Sequence, residues 1–561
     1  MFIKLGQILL CTYTIPVLFA LWCTSPIWTH DHLLFMGKPT TDNVVTPWFY
    51  DFVARNMAEG KTLSLLNEFD FPNPHHYSIE FPSAVDAMVF APIAWIFAWP
   101  AQWAWTITAA IVFNTIAVAT LARVIGLGTL GVNAAGMFAV LMRPLWADII
   151  KGRMNVVTPG FAVLAMTGVL ICFPYDALGN KRHPFVRIWG FVLAYCMGVL
   201  SALIYPPFLL LLLPVGVVLV WKFWRQGGIF SPFWGVVAGG LAYATIFETL
   251  WKIYYENYRT LDCADLTCPD KYNSLAMSNL ALVEPIASSG LSLSGISGGA
   301  WVLCVGVLLA RRMRGQGLLL CILAGVGAFL SLGPCPASTP DTLWKHEWLA
   351  SIKILCNPIW CASMHMHDFA RYAVVVCIVL AICSGITIDA LWNRFGYWGK
   401  SVAMIVLGYA LSLTYTPLMQ EILHPSKWYY NPPNKIAKFM ADKPTQTIAE
   451  LPFDRSAQFL SAIQAPYVYR VNPIRPNDPP RKEERFYLWL YAVARGIENT
   501  DVPTERDIQR SGLQWIIFDP DRCQQASTGM KGCAPWVRAH LQEVLGLPEI
   551  QDGISIWHLQ E

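Results

Sequence analysis

The chain has 561 residues and a net charge of +3, with 55% hydrophobic and only 14% charged residues, where a soluble protein carries about a quarter charged. So small a net charge excludes the electrostatic footprint of a nucleic-acid partner. Apolar runs of about 17–25 residues recur instead, each able to cross a ~30 Å hydrocarbon layer, and the sequence reads as an α-helical polytopic membrane protein.

The first run, 6–25, follows Lys4 and has the look of a signal peptide. Cys23, Thr24 and Ser25 make a poor cleavage site and further spans follow, so an uncleaved first helix is expected. Next come 101–121, 125–145, 156–172, 186–204, 207–220, 230–253, 296–309, 318–332, 370–391 and 402–418, giving about eleven transmembrane helices. The stretch 84–99 is apolar but short and split by Pro92, and reads as interfacial or re-entrant.

Charge orients the set. Lys181, Arg182 and Arg187, then Lys222 and Arg225, then Arg311, Arg312 and Arg314, then Arg394 and Lys400 fall in alternate loops, with Lys4 and Arg123 on the same side. The positive-inside rule makes that side cytoplasmic, with the N-terminus in and the C-terminus out. The long segments 28–83, 254–295 and 333–368, the short loop 142–155 and a polar tail are then extracytoplasmic. The tail alternates strand-like "TIAELPF", "LQWIIFDP" and "GISIWHL" with helix-like "SAQFLSAI" and "WVRAHLQEVLGL". The expected organisation is a membrane domain over 1–420, its first outer loop at 28–83 carrying surface helices, and a soluble α/β domain over 421–561.

Eight of the fifteen cysteines lie in the expected spans, where they act as small apolar residues. Of the seven outside, Cys263 with Cys268 and Cys523 with Cys533 are close pairs suited to disulfides, as are two of Cys335, Cys356 and Cys361. Zinc is the rival for "CADLTC", but no histidines stand nearby to complete a site.

Several outer residues carry chemistry. "GKPTTDNVVTPWFYDF" holds Asp42 and Asp51 just ahead of and within a helical run in which Trp48, Phe52 and Met57 alternate with Asp51, Arg55 and Glu59. That pattern predicts a helix lying on the membrane surface. Asp42 at its start is either a desolvated carboxylate suited to general-base work or, with Thr41, a helix cap; Asp51 falls on the polar side. Arg143, Lys151 and Arg153 run against the positive-inside bias and call for an anion, either a lipid phosphate or a carboxylate such as Asp148. His365, His367, Asp368 and Arg371 head the span at 370–391, where a guanidinium needs an anionic partner. The "HDH" at 30–32 and "HH" at 75–76 look like metal ligands but lack the i,i+4 spacing of a helical metal pair, so no cofactor is expected, with a divalent metal as the less favoured alternative. No phosphate-binding loop or nucleophile elbow has the structural context it needs.

The layout, with "TTDNVVTPWFYDF", "FDFPNPHHYSIEFPSAVDAMVFAPI", "GRMN" and "HDFARYAVV", resembles the GT-C superfamily of polytopic glycosyltransferases and its YfhO-like bacterial relatives over roughly residues 1–420. The resemblance implies a polyprenyl-phosphate-linked sugar as donor. It implies Asp42 as catalytic base and Arg371 beside the lipid phosphate, with Arg153, Arg143, His367 and Asp51 as further substrate-binding candidates. No DxD or adjacent Asp-Glu pair stands in the loop, so a metal-independent, inverting transfer is expected. Trp428, Tyr429, Tyr430 and Tyr467 offer either stacking faces for a sugar acceptor or a domain core. The rival readings are a non-catalytic scaffold with protein partners in a membrane complex, and a lipid or polysaccharide transporter. The latter calls for charges deep within spans, and Glu248 and Asp389 are the deepest.

Overall fold

In hydrocarbon every backbone N–H and C=O must be paired within the chain, so long apolar runs fold as helices. The structure is a computed structural model and describes residues 2–29, 34–36, 41–61, 65–66, 75–76, 84–150, 152–205, 207–227, 233–250, 300, 303–304, 306–310, 313–331, 370–394, 396–423, 428–430, 434–443, 445–451, 461–466, 468–470, 485–494, 502–525 and 535–559. The chain opens with α1 (Phe2–Thr29), β1 (Leu34–Met36), α2 (Thr41–Ala58), β2 (Leu65–Leu66), β3 (His75–His76) and α3 (Ala84–Ile96). Then follow α4 (Ala101–Val124), α5 (Thr129–Val140), α6 (Arg143–Ile150), α7 (Gly160–Ile171), α8 (Pro184–Ile204), α9 (Pro207–Leu211), α10 (Leu213–Gly227) and α11 (Phe233–Leu250). The helices Arg314–Ser331, Ala370–Arg394 and Gly396–Ile422 complete the apolar part.

Among the described residues six helices are long and apolar enough to cross a membrane: Ala101–Val124, Thr129–Ile150, Met154–Ile171, Pro184–Ile204, Tyr372–Arg394 and Gly396–Gln420. Each coincides with an expected run. Shorter apolar helices lie at Ala84–Ile96, Pro207–Trp221, Phe233–Ala242 and Gly315–Ala328. The chain divides into two compact units, one of Met1–Thr29 with Trp105–Lys427, the other of His30–Ala104 with Trp428–Glu561.

In the first unit α5 packs against the Ala370–Arg394 helix at glycine distance. A Cβ on Gly131 would stand 2.8 Å from the Gly385 carbonyl, and one on Gly385 would stand 2.6 Å from the Gly131 carbonyl, so this small-residue contact excludes any larger side chain. One end of the pair is tied by Asp389, whose Oδ1 accepts from the Gly128 N–H at 3.0 Å. The deep aspartate is thus a cap for the start of α5. Cations at the loops do the converse: Arg187 Nε donates to the Cys172 carbonyl at 2.9 Å and Arg394 Nη1 to the Leu309 carbonyl at 3.1 Å, satisfying carbonyls left open where helical turns end.

In the second unit β1 pairs antiparallel with β4 (Trp428–Tyr430), Leu34 opposite Tyr430 and Met36 opposite Trp428. Three of the four aromatics offered as sugar-stacking faces therefore belong to a strand pair; Tyr467 lies outside the described residues. The "HH" motif is β3, opposite Leu66 and Leu65 of β2. The tail builds a five-stranded sheet in the order β6-β5-β7-β9-β8, from β5 (Thr447–Leu451), β6 (Tyr469–Arg470), β7 (Trp515–Phe518), β8 (Glu549–Gln551) and β9 (Ile554–His558). β5 runs parallel to β6 and β7, and β9 antiparallel to β7 and β8. The alternation of a pleated strand serves both faces. Ile516 joins Trp489, Leu490, Val537 and Trp557 in one core, and Ile517 joins Ile436, Met440, Val468 and Ile554 in the other.

Glu450, wholly buried on β5, is met by Arg522 Nη2 at 2.7 Å and accepts from Ser461 Oγ at 2.8 Å. Asp519 stands 3.8 Å from Arg522 Nε. Removing one partner of a buried ion pair leaves the other charge without compensation, so Arg522→Ala should destabilise the unit by about 3–5 kcal/mol. Thermal unfolding of the detergent-solubilised full chain checks this. The double change Arg522→Ala, Glu450→Gln should recover part of the loss.

Candidate functional site

Two clusters hold the residues that the sequence singles out, one in each unit. In the second unit α2 opens at Thr41, which places Asp42 in the first helical turn, where free backbone N–H groups favour a negative charge. The side chains of residues 41–44 lie outside what is described. Further along, Asp51 Oδ2 accepts from Arg55 Nε at 2.7 Å, an i,i+4 pair on the helix face. Asp51 is engaged with this neighbour.

The buried side of α2 is wider than a surface helix requires. Trp48, Phe49, Tyr50, Phe52, Val53 and Ala54 are all buried, whereas Met57 is exposed. Buried residues running from 48 to 54 around Asp51 cannot fit a single stripe, so α2 is buried over more than one face. It packs against α3, and Trp95 Nε1 on α3 donates to the Ala54 carbonyl at 2.9 Å.

The polar centre of this contact is a pair that the sequence reading missed. Tyr50 on α2 donates its hydroxyl to Asp86 Oδ2 in the first turn of α3. Asp86 is fully buried, and its Oδ1 has no hydrogen-bond partner. Trp103 meets the Tyr50 ring edge-on at 5.7 Å between centroids. At 13 residues α3 is too short to span a bilayer. Burial pushes the Asp86 carboxyl up to about 8, against the opposing pull of the Tyr50 hydroxyl and of backbone N–H groups at the start of α3. Burial first, then the Asp86 charge and hydrogen bond, hold the Tyr50 hydroxyl well above its ordinary range. The available signal was a single carboxylate in an otherwise apolar stretch.

In the first unit two of the singled-out arginines, Arg143 and Arg371, fall at one end of a helix pair. α5 and the Ala370–Arg394 helix run antiparallel, with Gly128 beside Asp389 and Gly131 beside Gly385. At about 1.5 Å per residue on both helices, the end of α5 comes level with the start of the partner, close to Arg371. α6, which begins at Arg143, also packs on that helix. Arg143 and Arg371 therefore occupy the same end of the pair; the Arg371 side chain lies outside what is described.

The stretch 142–155, expected as a loop, is largely the helix α6, because Leu145, Trp146 and Ile149 make an apolar stripe that buries. Trp146 Nε1 donates to the Val140 carbonyl at 2.8 Å. The Arg153 N–H donates to the Asp148 carbonyl at 2.9 Å, turning the chain toward α7. There the Asn114 side chain donates to the Val157 carbonyl at 2.6 Å and accepts from the Gly160 N–H at 2.9 Å. Arg143 and Arg153, both half-buried, thus flank a short helix clamped at both ends.

His367, Lys151, Cys263, Cys268 and Cys533 lie outside the described residues. Cys523 is disulfide-bonded. Among the described residues the trio of potential metal ligands that converges is Cys304, Cys321 and Cys383 in the helical bundle, remote in sequence from α2, α3 and α6.

The raised Asp86 carboxyl has a stability consequence. An acid whose folded value lies above its unfolded value contributes stability that is fully present below the unfolded value and is lost as pH rises through the folded one. Wild-type stability should therefore fall between about pH 4 and pH 8 through this group. Asp86→Asn, which keeps an oxygen for Tyr50, should remove that part of the slope. Melting temperatures of both proteins across this pH range, compared as a difference, provide the check; identical slopes would contradict the assignment.

No protein-family model matches the chain, and neither does any curated protein. Among solved structures it is similar to the oligosaccharyltransferase of Archaeoglobus fulgidus in the apo form, at 12% identity and TM-score 0.46 over 91% of this chain and 69% of that one. It is also similar to the arabinofuranosyltransferase AftD from Mycobacteria, at 14% identity and TM-score 0.48 over 92% of this chain and 36% of that one. A third is ArnT from Cupriavidus metallidurans bound to undecaprenyl phosphate, at 15% identity and TM-score 0.38 over 99% of this chain and 98% of that one. Every identity is 15% or lower and every TM-score below 0.5, so the likeness carries no argument about reaction or substrate.

Proposed function

We propose that the chain is an integral membrane glycosyltransferase that moves a sugar from a polyprenyl-phosphate-linked donor to an acceptor on the extracytoplasmic face. Asp42 takes the proton of an acceptor hydroxyl, and the oxygen attacks the anomeric carbon in line. The bond from that carbon to the phosphate oxygen breaks, and polyprenyl phosphate leaves with the electron pair and with inversion at carbon. Arg371, Arg153 and Arg143 hold the lipid phosphate and stabilise its growing charge, the part a metal would otherwise play. Residues 421–561 present the acceptor.

The observation that carries this reading is that Arg143 and Arg371, separated by more than two hundred residues, share one end of a packed helix pair. A lipid phosphate is an anion native to that depth, and cations at a membrane end against the positive-inside bias suit its charge. Support for Asp42 comes from its position in the first turn of a helix made rigid by buried aromatics. The rule that orients the spans places the N-terminus in the cytoplasm and residues 421–561 outside an inner or plasma membrane.

The test uses the full chain in liposomes with a panel of polyprenyl-phosphate monosaccharides and an extract of the envelope as acceptor. Release of free polyprenyl phosphate is followed by mass spectrometry. Asp42→Asn should slow release by about 10²–10⁴-fold with donor binding retained, and Arg371→Gln should weaken donor binding itself. Unchanged release by Asp42→Asn at normal expression would sink the base assignment. A wild-type chain that binds and cleaves no member of the panel would overturn the transferase reading.

A further inference from the structure

Three cysteines from separate parts of the sequence meet inside the first unit. Cys304, in the segment 303–310, and Cys321, in the Arg314–Ser331 helix, are joined by a disulfide. Cys383, in the Ala370–Arg394 helix, is a free, buried thiol with its Sγ 4.0 Å from that of Cys321. All three sulfurs lie within 4.8 Å of one another.

The meeting is built by the packing around it. Thr387 Oγ1 donates to the Leu303 carbonyl at 2.6 Å, tying the segment to the Ala370–Arg394 helix one residue before Cys304. Gly306 lies directly against the Thr387 side chain and Gly317 directly against Val307, and a Cβ on either glycine would collide with its neighbour. The two glycines let the segment approach both helices at once. The sulfurs are therefore held close by contacts that do not involve sulfur, so the trio stays assembled when the disulfide is reduced. Preorganised ligands of this kind are what a metal site needs from its scaffold.

We propose that, in the reduced chain, Cys304, Cys321 and Cys383 form a three-sulfur site for a soft monovalent cation of the Cu(I) class. Thiolates select soft metals, and a d¹⁰ monovalent ion is content with three sulfurs, whereas structural zinc sites take four ligands. No fourth His, Cys, Asp or Glu ligand joins the trio among the described residues. Reduction by a thiol or phosphine supplies two electrons and two protons to the Cys304–Cys321 bond and is itself oxidised. Cu(I) then displaces thiol protons to solvent as the metal–sulfur bonds form. The site is independent of the proposed transferase chemistry; the bound ion would clamp the segment 303–310, the Arg314–Ser331 helix and the Ala370–Arg394 helix together.

The test is a Cu(I) titration of the phosphine-reduced full chain in detergent, in competition with a chromophoric Cu(I) chelator. Wild type should take up one equivalent that the triple variant Cys304→Ser, Cys321→Ser, Cys383→Ser does not. Cys383→Ala alone should bind about tenfold or more weakly, since losing a direct ligand costs at least as much as losing the outer contacts of a site. Cys196→Ser, remote in sequence from the trio, should bind as wild type. X-ray absorption at the copper edge should count three sulfurs in wild type and two in Cys383→Ala, a readout that stands if the triple variant does not fold. Equal uptake by wild type and the triple variant, or a sulfur count unchanged by Cys383→Ala, would overturn the proposal.

Discussion

The contact between Gly131 and Gly385 fixes the first unit. With no side chain on either residue, α5 and the Ala370–Arg394 helix approach until backbone meets backbone, and Asp389 locks the register from one end by holding the Gly128 N–H. The Ala370–Arg394 helix is largely buried. Its register governs everything attached to it. A slip of one residue turns an α-helix by about 100°, which would carry Thr387 off Leu303 and Cys383 off Cys321, and would re-aim Arg371. The placing of Arg143 and Arg371 at one end and the grouping of thiols along the middle are two consequences of one packing constraint.

The second unit handles buried charge in two ways that illuminate each other. Glu450 is met by a guanidinium and a hydroxyl, so its charge is compensated by partners. Asp86 is met by the Tyr50 hydroxyl, and its other oxygen has no partner, so burial favours the protonated acid. An uncharged carboxyl is a cheap way to join two apolar helices with a directional contact, because the proton removes most of the desolvation cost. The result is that α2, with Asp42 in its first turn, is anchored to α3 by a hydrogen bond, an indole–carbonyl contact and a wall of aromatics.

What the sequence made legible follows from periodicity. Among the described residues, the six helices long and apolar enough to cross a membrane could be read from apolar run length, and the strands at Thr447–Leu451, Trp515–Phe518 and Ile554–His558 from short β-branched and aromatic runs. What escaped it depends on contacts distant in sequence. Trp48 and Phe52 suit a surface helix until Phe49, Tyr50 and Val53 are seen to bury as well. Asp86 is one acid in an apolar stretch, and its meaning lies in Tyr50, thirty-six residues earlier. The pairing of Leu34–Met36 with Trp428–Tyr430 crosses most of the chain. Each of the three bundle cysteines, read alone, is a small apolar residue, and their convergence is a property of the fold. Arg143 and Arg371 could be suspected separately from their place against the charge bias, but that they share an end required the register of two helices.

The central claim is that the Arg143 and Arg371 end of this helix pair, here the arginine end, receives a lipid phosphate. An experimentally determined structure of the full chain in nanodiscs containing a polyprenyl-phosphate sugar analogue measures this directly. The account predicts phosphate density within ion-pairing distance of Arg371 or Arg143, at the end of the pair opposite Asp389. Phosphate bound instead at the Asp389 end, or no bound lipid phosphate at the arginine end at saturating analogue, would contradict it.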